Sequence, residues 1–352
     1  MRVAVDARRL QDQTLTGVGR WIGNLLPQLA RQVEVVLLTD KSRPSPGLES
    51  YDEVGLARLA GLPEPVWLQG SAARWLRGFS GVFHGTYNAV PFGYGGPSVV
   101  SMYDLSWEHH PEDFSRATRW SMATQARWSA RHAGAVVTCS EFSRQSIVET
   151  YGVAAERVFV AHPAIDPIFT ANGTAEDRAA LLARLGVSGP YIAAMGGAKR
   201  RGLEVAVAAW QRLGVGRPTL VVLGAEVPPP LPGLVHVGRL SDQDWPLVLS
   251  GATAFCYPTR YEGYGMPALE AAASGVPVVC ARIGPLPEVL GEAAQWCDEP
   301  TVTSIADGLA ALLGDAGRLA ALRQAGLARV AAAPSWAEGA AQVLAAYEVA
   351  TA

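Results

Sequence analysis

Short apolar runs recur along the chain, each bounded by turn residues and followed by a stretch of helical spacing, which is the rhythm of βα units around parallel sheets. In the first half the runs at 3–5, 33–38, 81–84, 99–102 and 135–139 predict strands buried on both faces, because they are continuously apolar rather than alternating. The rhythm starts again in the second half, with runs at 191–195, 219–223, 234–237, 254–257 and 276–280, and a helical C-terminus closes it. Between the halves lies HPAIDPIFTANGTAEDRAALLARLGVSGP, with Pro163, Pro167 and a polar turn before Pro190 opens a new strand. This segment predicts a domain boundary. The expected fold class is α/β, with two Rossmann-like domains at 1–165 and 166–334.

The length of 352 residues fits two hydrophobic cores. Apolar residues make up 49% and charged residues 17%, too apolar for a disordered chain. A net charge of -3 argues against a nucleic-acid binder. The cysteines Cys139, Cys256, Cys280 and Cys297 are scattered, with no CxxC pair and no histidine at metal-ligand spacing, so buried free thiols and no metal are expected. MRVAVDARRL lacks the core of a secretory signal, and no apolar run is long enough for a transmembrane helix. Cytoplasmic residence is the expectation, with a peripheral membrane contact left open.

Candidate chemistry clusters in a few segments. YEGYGMPALEAAASGVPVV carries Glu262 and Glu270, with Gly263 and Gly265 opening what reads as a helix. On one continuous helix, acids at that spacing would differ by roughly 80° in azimuth and could both address a ligand near one helix end. A glycine turn into a helix frees backbone N–H groups for an anion. The plainer alternative is two acids that only complement the helix dipole. MGGAKRRGLE sets Lys199, Arg200 and Arg201 where a strand turns into a helix, and guanidinium groups suit a diphosphate. The alternative there is a solvated basic loop.

LTGVGRWIGNLL places Gly17 and Gly19 before a helix and Gly23 inside it, but too far from the first strand for a dinucleotide fingerprint. Asp40 at the end of the second strand keeps an NAD site as an alternative. Ser241 and Asp244 read as a capping box, not a metal site. The stretch from Phe114 to His132 mixes Arg116, Arg119, Arg127 and Arg131 with Trp120 and Trp128, giving a helix with a packed and a basic face. A membrane-surface or anionic-acceptor role is its alternative reading.

In this order the segments resemble family-4 retaining glycosyltransferases of the B-type fold, especially the mannosyltransferase-like members. The likeness runs over VAVDARRL, TGVGRWIGNLL, YDLSWEHHPEDFS, VVTCSEFSR, GVAAERVFVAHPAIDPIF, KRRGLE, GATAFCYPTRYEGYGMPALEAAASGVPVV, PLPEV and SWAEGAAQVL. The pair Glu262 and Glu270, with glycines between them and ALEA around the second acid, is its most specific part.

The resemblance implies a GT-B fold whose domains face a cleft, with a final helix at 335–352 crossing back to the first domain. It implies metal-independent, retaining transfer of a hexose from a nucleotide sugar to a hydroxyl of a glycan, lipid-linked or small-molecule acceptor, with no cofactor. GDP-mannose is the implied donor ahead of UDP- and dTDP-hexoses. Arg200, Arg201 and Glu262 fall at catalytic positions of the family. Glu270 would hold the ribose, Glu262 and the turn Gly263, Tyr264, Gly265 and Met266 the transferred sugar, and Gly17, Val18 and Gly19 the diphosphate.

Tyr103 and Asp104 fall on the acceptor side, where many members carry His-Asp. The turn before Arg200 is one residue shorter than common forms, and Gly197 stands where some members have arginine. Rival readings are a sugar-nucleotide epimerase, an NAD-dependent oxidoreductase and a non-catalytic nucleotide-sugar binder.

Overall fold

The computed structural model describes residues 1–12, 16–45, 47–57, 64–171 and 173–352. Leu15, the first residue of the glycine-turn segment, and Asn172, within the joining segment, lie outside them. The chain divides into two compact units, Met1–Ala164 with Pro334–Ala352, and Ile165–Ala333.

Unit 1 holds strands β1 (Arg2–Asp6), β2 (Glu34–Asp40), β3 (Asp52–Leu56), β4 (Val82–Gly85), β5 (Ser98–Ser101), β6 (Ala135–Thr138) and β7 (Val158–Val160) in the order β3-β2-β1-β4-β5-β6-β7. Unit 2 holds β8 (Tyr191–Met195), β9 (Thr219–Leu223), β10 (Leu234–Gly238), β11 (Ala254–Cys256), β12 (Val278–Ala281) and β13 (Ala294–Cys297) in the order β10-β9-β8-β11-β12-β13. Every pairing in both sheets is parallel. Each unit is Rossmann-like, the two domains the resemblance implies.

The helices of seven or more residues are α1 (Gly17–Leu29), α2 (Arg116–His132), α3 (Glu141–Tyr151), α4 (Ala175–Arg184), α5 (Leu203–Arg212), α6 (Asp244–Ser250), α7 (Met266–Ala273), α8 (Val302–Leu313), α9 (Ala316–Ala331) and α10 (Trp336–Thr351). Helices on both faces explain the unbroken apolar runs: β4, β5, β6 and β12 are buried along their whole length.

The strands missing from the sequence pattern, β3, β7 and β13, all lie at sheet edges. β3 is DEVGL with no buried residue, β7 is three residues long, and β13 places Gln295 and Trp296 among its four. Edge strands are covered less fully, so their sequences need not be continuously apolar.

α10 opens on a complete capping box, with Ser335 and Glu338 each bonding the other's backbone N–H. Its buried face, Gly339, Ala340, Val343, Ala346 and Tyr347, joins the core of unit 1 with Val3, Val5, Leu25 and Val137. The last helix therefore returns to the first domain. The Tyr347 hydroxyl lies 2.7 Å from His84 Nδ1 on β4, and His84 Nε2 lies 2.8 Å from Ser101 Oγ on β5. Burial pushes this imidazole down to about 4 against a smaller upward pull from Asp6, so it is neutral in the fold.

Candidate functional site

Open parallel sheets place ligands at the carboxyl ends of the strands where the strand order turns back. In unit 2 that point lies between β8 and β11, which pair directly. The chain leaves β8 through Gly196 and Gly197 into a single tight turn, Lys199–Arg201, and then enters α5 at Gly202. Gly202 has φ +69°, and a Cβ there would sit 2.5 Å from the Pro258 carbonyl oxygen. Only glycine lets the turn lie this close to the loop that leaves β11.

That loop locks onto the turn. Arg260 N–H donates to the Arg200 carbonyl at 2.7 Å, and the Arg260 guanidinium donates to the Lys199 carbonyl at 3.1 Å. The stitching brings Arg201 Nε to 3.5 Å from Glu262 Oε1. At that distance the contact is an ion pair at the outer limit of a hydrogen bond, and the buried Arg201 Nε closes no bond of good geometry among the described residues. Arg201 Nη1 points at Met195 Sδ at 3.3 Å, a weak acceptor. Burial works against the Arg201 charge, but Tyr257, Glu262 and Glu270 outweigh it and hold its pKa above the ordinary value. A half-buried, permanently charged guanidinium whose Nε has no hydrogen bond among the described residues suits a phosphate oxygen.

Glu262 lies outside any helix, because α7 begins at Met266. The continuous-helix geometry for the two acids is therefore corrected. Glu262 sits in the loop after β11 and Glu270 in the body of α7, and the chain reverses between them at Gly265, whose φ is +96°. Among the described residues no side chain of the N-cap position caps the α7 N-terminus. Gly263, Tyr264 and Gly265 are buried beside it, and Met266 is half-buried.

Each acid is held by an aromatic donor. Tyr257 donates its hydroxyl to Glu262 Oε1 at 2.5 Å, and the Trp245 indole N–H donates to Glu270 Oε2 at 3.1 Å. Burial, reinforced by the Glu262 carboxylate, raises the Tyr257 pKa far above its usual value and keeps it a donor. Neither aromatic was singled out as a site residue from the sequence, because no local spacing links it to its acid.

Unit 1 carries the remaining candidates. Gly17 opens α1, and Thr16 Oγ1 accepts the Gly19 N–H at 3.5 Å. A Cβ at Gly17 would meet open space, so packing does not require glycine there. Val18 is half-buried and Gly19 buried. Tyr103 follows β5 and meets Trp21 of α1 edge-on with ring centroids 5.3 Å apart. Its hydroxyl donates to the Thr86 carbonyl at 2.9 Å, and burial raises its pKa well above 10.0. Asp104 Oδ1 accepts the Ser106 N–H at 2.8 Å, starting the short turn that follows.

Two other sequence readings are refined. The Ser241 hydroxyl accepts the Asp244 N–H at 3.0 Å, half of the expected box, while the Asp244 carboxylate faces Arg184 at 3.7 Å. On α2 three of the four arginines are tied to the protein body, Arg119 to the Trp107 carbonyl, Arg127 to Glu108 and Arg131 to the Tyr151 carbonyl, while Arg116 is exposed and Trp120 stays 72% exposed. All four cysteines are buried free thiols. Among the described residues no helix is long and apolar enough to cross a membrane, and no cluster of three or more His, Cys, Asp or Glu could hold a metal ion.

Comparison with known families decides the class. Residues 15–169 match the model described as Glycosyltransferase Family 4, and residues 232–329 match Glycosyl transferases group 1. The chain belongs to the family-4 glycosyltransferases. An MMP alpha-(1->4)-mannosyltransferase of Mycolicibacterium hassiacum is 29% identical over 344 residues, covering 88% of this chain and 82% of that protein. An O-antigen chain mannosyltransferase B of Escherichia coli is 29% identical over 231 residues, 59% of each chain. Sucrose-phosphate synthase from Thermosynechococcus elongatus shares the fold, with a TM-score of 0.77 over 99% of this chain and 98% of that one at 16% identity. The turn-back point of unit 2 falls between the two matched segments and within the second, which contains both acids of this glycosyltransferase.

Proposed function

We propose that this glycosyltransferase binds GDP-mannose at the β8–β11 turn-back point of unit 2 and transfers mannose, with retention, to a hydroxyl of a glycan, lipid-linked or small-molecule acceptor. The observation that carries the reading is the half-buried Arg201, held 3.5 Å from Glu262 yet with its buried Nε without a hydrogen bond among the described residues. Mannose is favoured because two relatives are named mannosyltransferases.

Arg200 and Arg201 meet the diphosphate, whose negative charge grows as the anomeric carbon–oxygen bond breaks. The electron pair of that bond leaves with the phosphate, the acceptor oxygen bonds the anomeric carbon on the same face, and its proton passes to a diphosphate oxygen. Glu262 and the backbone from Gly263 to Met266 orient the sugar, while Glu270 takes the ribose hydroxyls. Gly17, Val18 and Gly19 belong to the diphosphate end, where an open glycine admits a ligand, and Tyr103 and Asp104 to the acceptor side. The arginines supply the positive charge a metal would otherwise bring, so neither metal nor cofactor is required.

A thermal-shift panel of GDP-mannose, UDP-glucose and dTDP-glucose tests the donor, because a ligand at a hundred times its Kd stabilises a fold by about 2.7 kcal/mol. GDP-mannose should give the largest shift. A larger shift with another donor reassigns the base or sugar, and no shift with any of them removes the donor site. Retention predicts an α-mannosyl product by NMR, and a rate abolished by chelator and restored by Mg²⁺ or Mn²⁺ overturns the metal-free mechanism.

A further inference from the structure

We propose that Trp245 is a positioning residue for the donor. Its indole N–H fixes Glu270 in the orientation that receives the ribose hydroxyls, so this tryptophan sets how strongly the enzyme requires a ribose. The proposal rests on the reading of Glu270 as the ribose-binding acid. Glu270 is the one charged residue in α7, MPALEAAA, and it is 8% exposed, with Ala268, Leu269, Ala271 and Ala272 buried around it. A carboxylate in such surroundings must be hydrogen-bonded, and the bond also decides which way it points.

The Trp245 N–H meets Glu270 Oε2 at 3.1 Å. An indole offers one donor and no acceptor, so it engages one carboxylate oxygen and cannot compete with the acid for a hydroxyl proton. The start of α6 holds the indole in place. Ser241 accepts two backbone N–H groups there, from Asp244 at its hydroxyl and from Trp245 at its carbonyl, each at 3.0 Å, and Arg184 faces the Asp244 carboxylate at 3.7 Å. The packing of α6 falls to Pro246, Val248 and Leu249, which are buried, whereas Trp245 is only half-buried. A half-buried aromatic ring with its only polar atom on the acid is placed to orient that acid.

The test is calorimetry with GDP, UDP and ADP, followed by the 2′-deoxy and 3′-deoxy forms of the tightest binder. Wild type, Trp245→Phe, Glu270→Gln and the double variant are compared. Trp245→Phe should weaken the ribonucleotide about tenfold and the deoxynucleotides much less. In the Glu270→Gln background the same change should cost less than about twofold, since coupled residues are not additive. In transfer assays Trp245→Phe should raise the donor KM while leaving kcat within about twofold, the pattern of a lost binding interaction.

The ratio of ribo to deoxy affinity within one preparation is independent of the folded fraction. Trp245→Leu, which also lacks the donor, serves if the phenylalanine variant does not fold. An equal penalty for ribo and deoxy forms, or full additivity with Glu270→Gln, overturns the proposal. If wild type binds nucleoside diphosphate without distinguishing ribo from deoxy, Glu270 loses its ribose role and the proposal goes with it. If wild type binds none of them, the donor-site reading itself fails.

Discussion

In unit 1 the strand order turns back between β1 and β4, and in unit 2 it turns back between β8 and β11. Both points carry buried charge, arranged differently. In unit 1, Asp6 receives both Arg8 Nε at 2.9 Å and Arg8 Nη2 at 2.7 Å, and the guanidinium lies 4.2 Å over the Trp67 ring. Thr86 donates to the Asp6 carbonyl, Tyr103 donates to the Thr86 carbonyl, and His84 is closed on both sides by Ser101 and Tyr347. In unit 2, Arg201 keeps a buried nitrogen without a hydrogen bond, and its carboxylate partner stands at 3.5 Å. A saturated network holds architecture together, whereas an unsaturated one awaits a ligand. On the proposed function, the fold uses one topological position once for cohesion and once for chemistry.

Breaking each side separates the two uses. Arg201→Ala should reduce kcat by about 10²- to 10³-fold, the usual cost of one donor to a developing oxyanion, with little change in melting temperature. A variant that melts early and keeps its turnover per folded molecule would move Arg201 to the structural side.

His84 should show the reverse. Its folded pKa near 4 lies below the value of about 6.5 in an unfolded chain. The unfolded state therefore takes up a proton first, so the stability from this group is complete above about pH 6.5 and is lost as the pH falls toward 4. The amount is on the order of 3 kcal/mol across that window. His84→Gln should flatten the fall of melting temperature between those pH values relative to wild type. Parallel melting curves for the two proteins would show that the imidazole is not held neutral.

Glu270→Ala should weaken nucleoside diphosphate binding by roughly 1.5 to 3 kcal/mol, the range for a hydrogen bond to a charged group, as read by calorimetry. Unchanged affinity in a folded variant would take Glu270 out of the donor site. Tyr103→Phe sharpens the comparison at smaller scale. Because its hydroxyl is bound to the Thr86 carbonyl, the variant should lose about 1 kcal/mol of stability. A lowered transfer rate or altered donor preference in the folded variant would keep the phenol at the reaction end, and unchanged transfer would leave it a tie between β4 and β5.

The interior strands were legible in the sequence because burial on both faces demands unbroken apolar runs, as in TLVVL of β9 and VVCA of β12. The same reasoning passes over DEVGL and AQWC, which lie on sheet edges. Among the candidate site residues, the order Glu262, Gly263, Gly265, Glu270 is legible, while the start of α7 at Met266 is not, so spacing alone allows both acids on one helix. Their aromatic partners lie 5 and 25 residues away, and the His84–Tyr347 contact spans 263. Such pairings come from sheet order and loop stitching, which no local spacing encodes.

The most direct measurement is hydrogen exchange with and without GDP, read by mass spectrometry on peptides covering 196–202, 241–250 and 257–273 against those covering 82–88 and 334–352. GDP should slow exchange in the first group and leave the second unchanged, because His84 and Tyr347 in those peptides already close on each other and on Ser101. Protection confined to the second group, or none at saturating GDP, would contradict the assignment of the unsaturated turn-back point of unit 2 as the donor site.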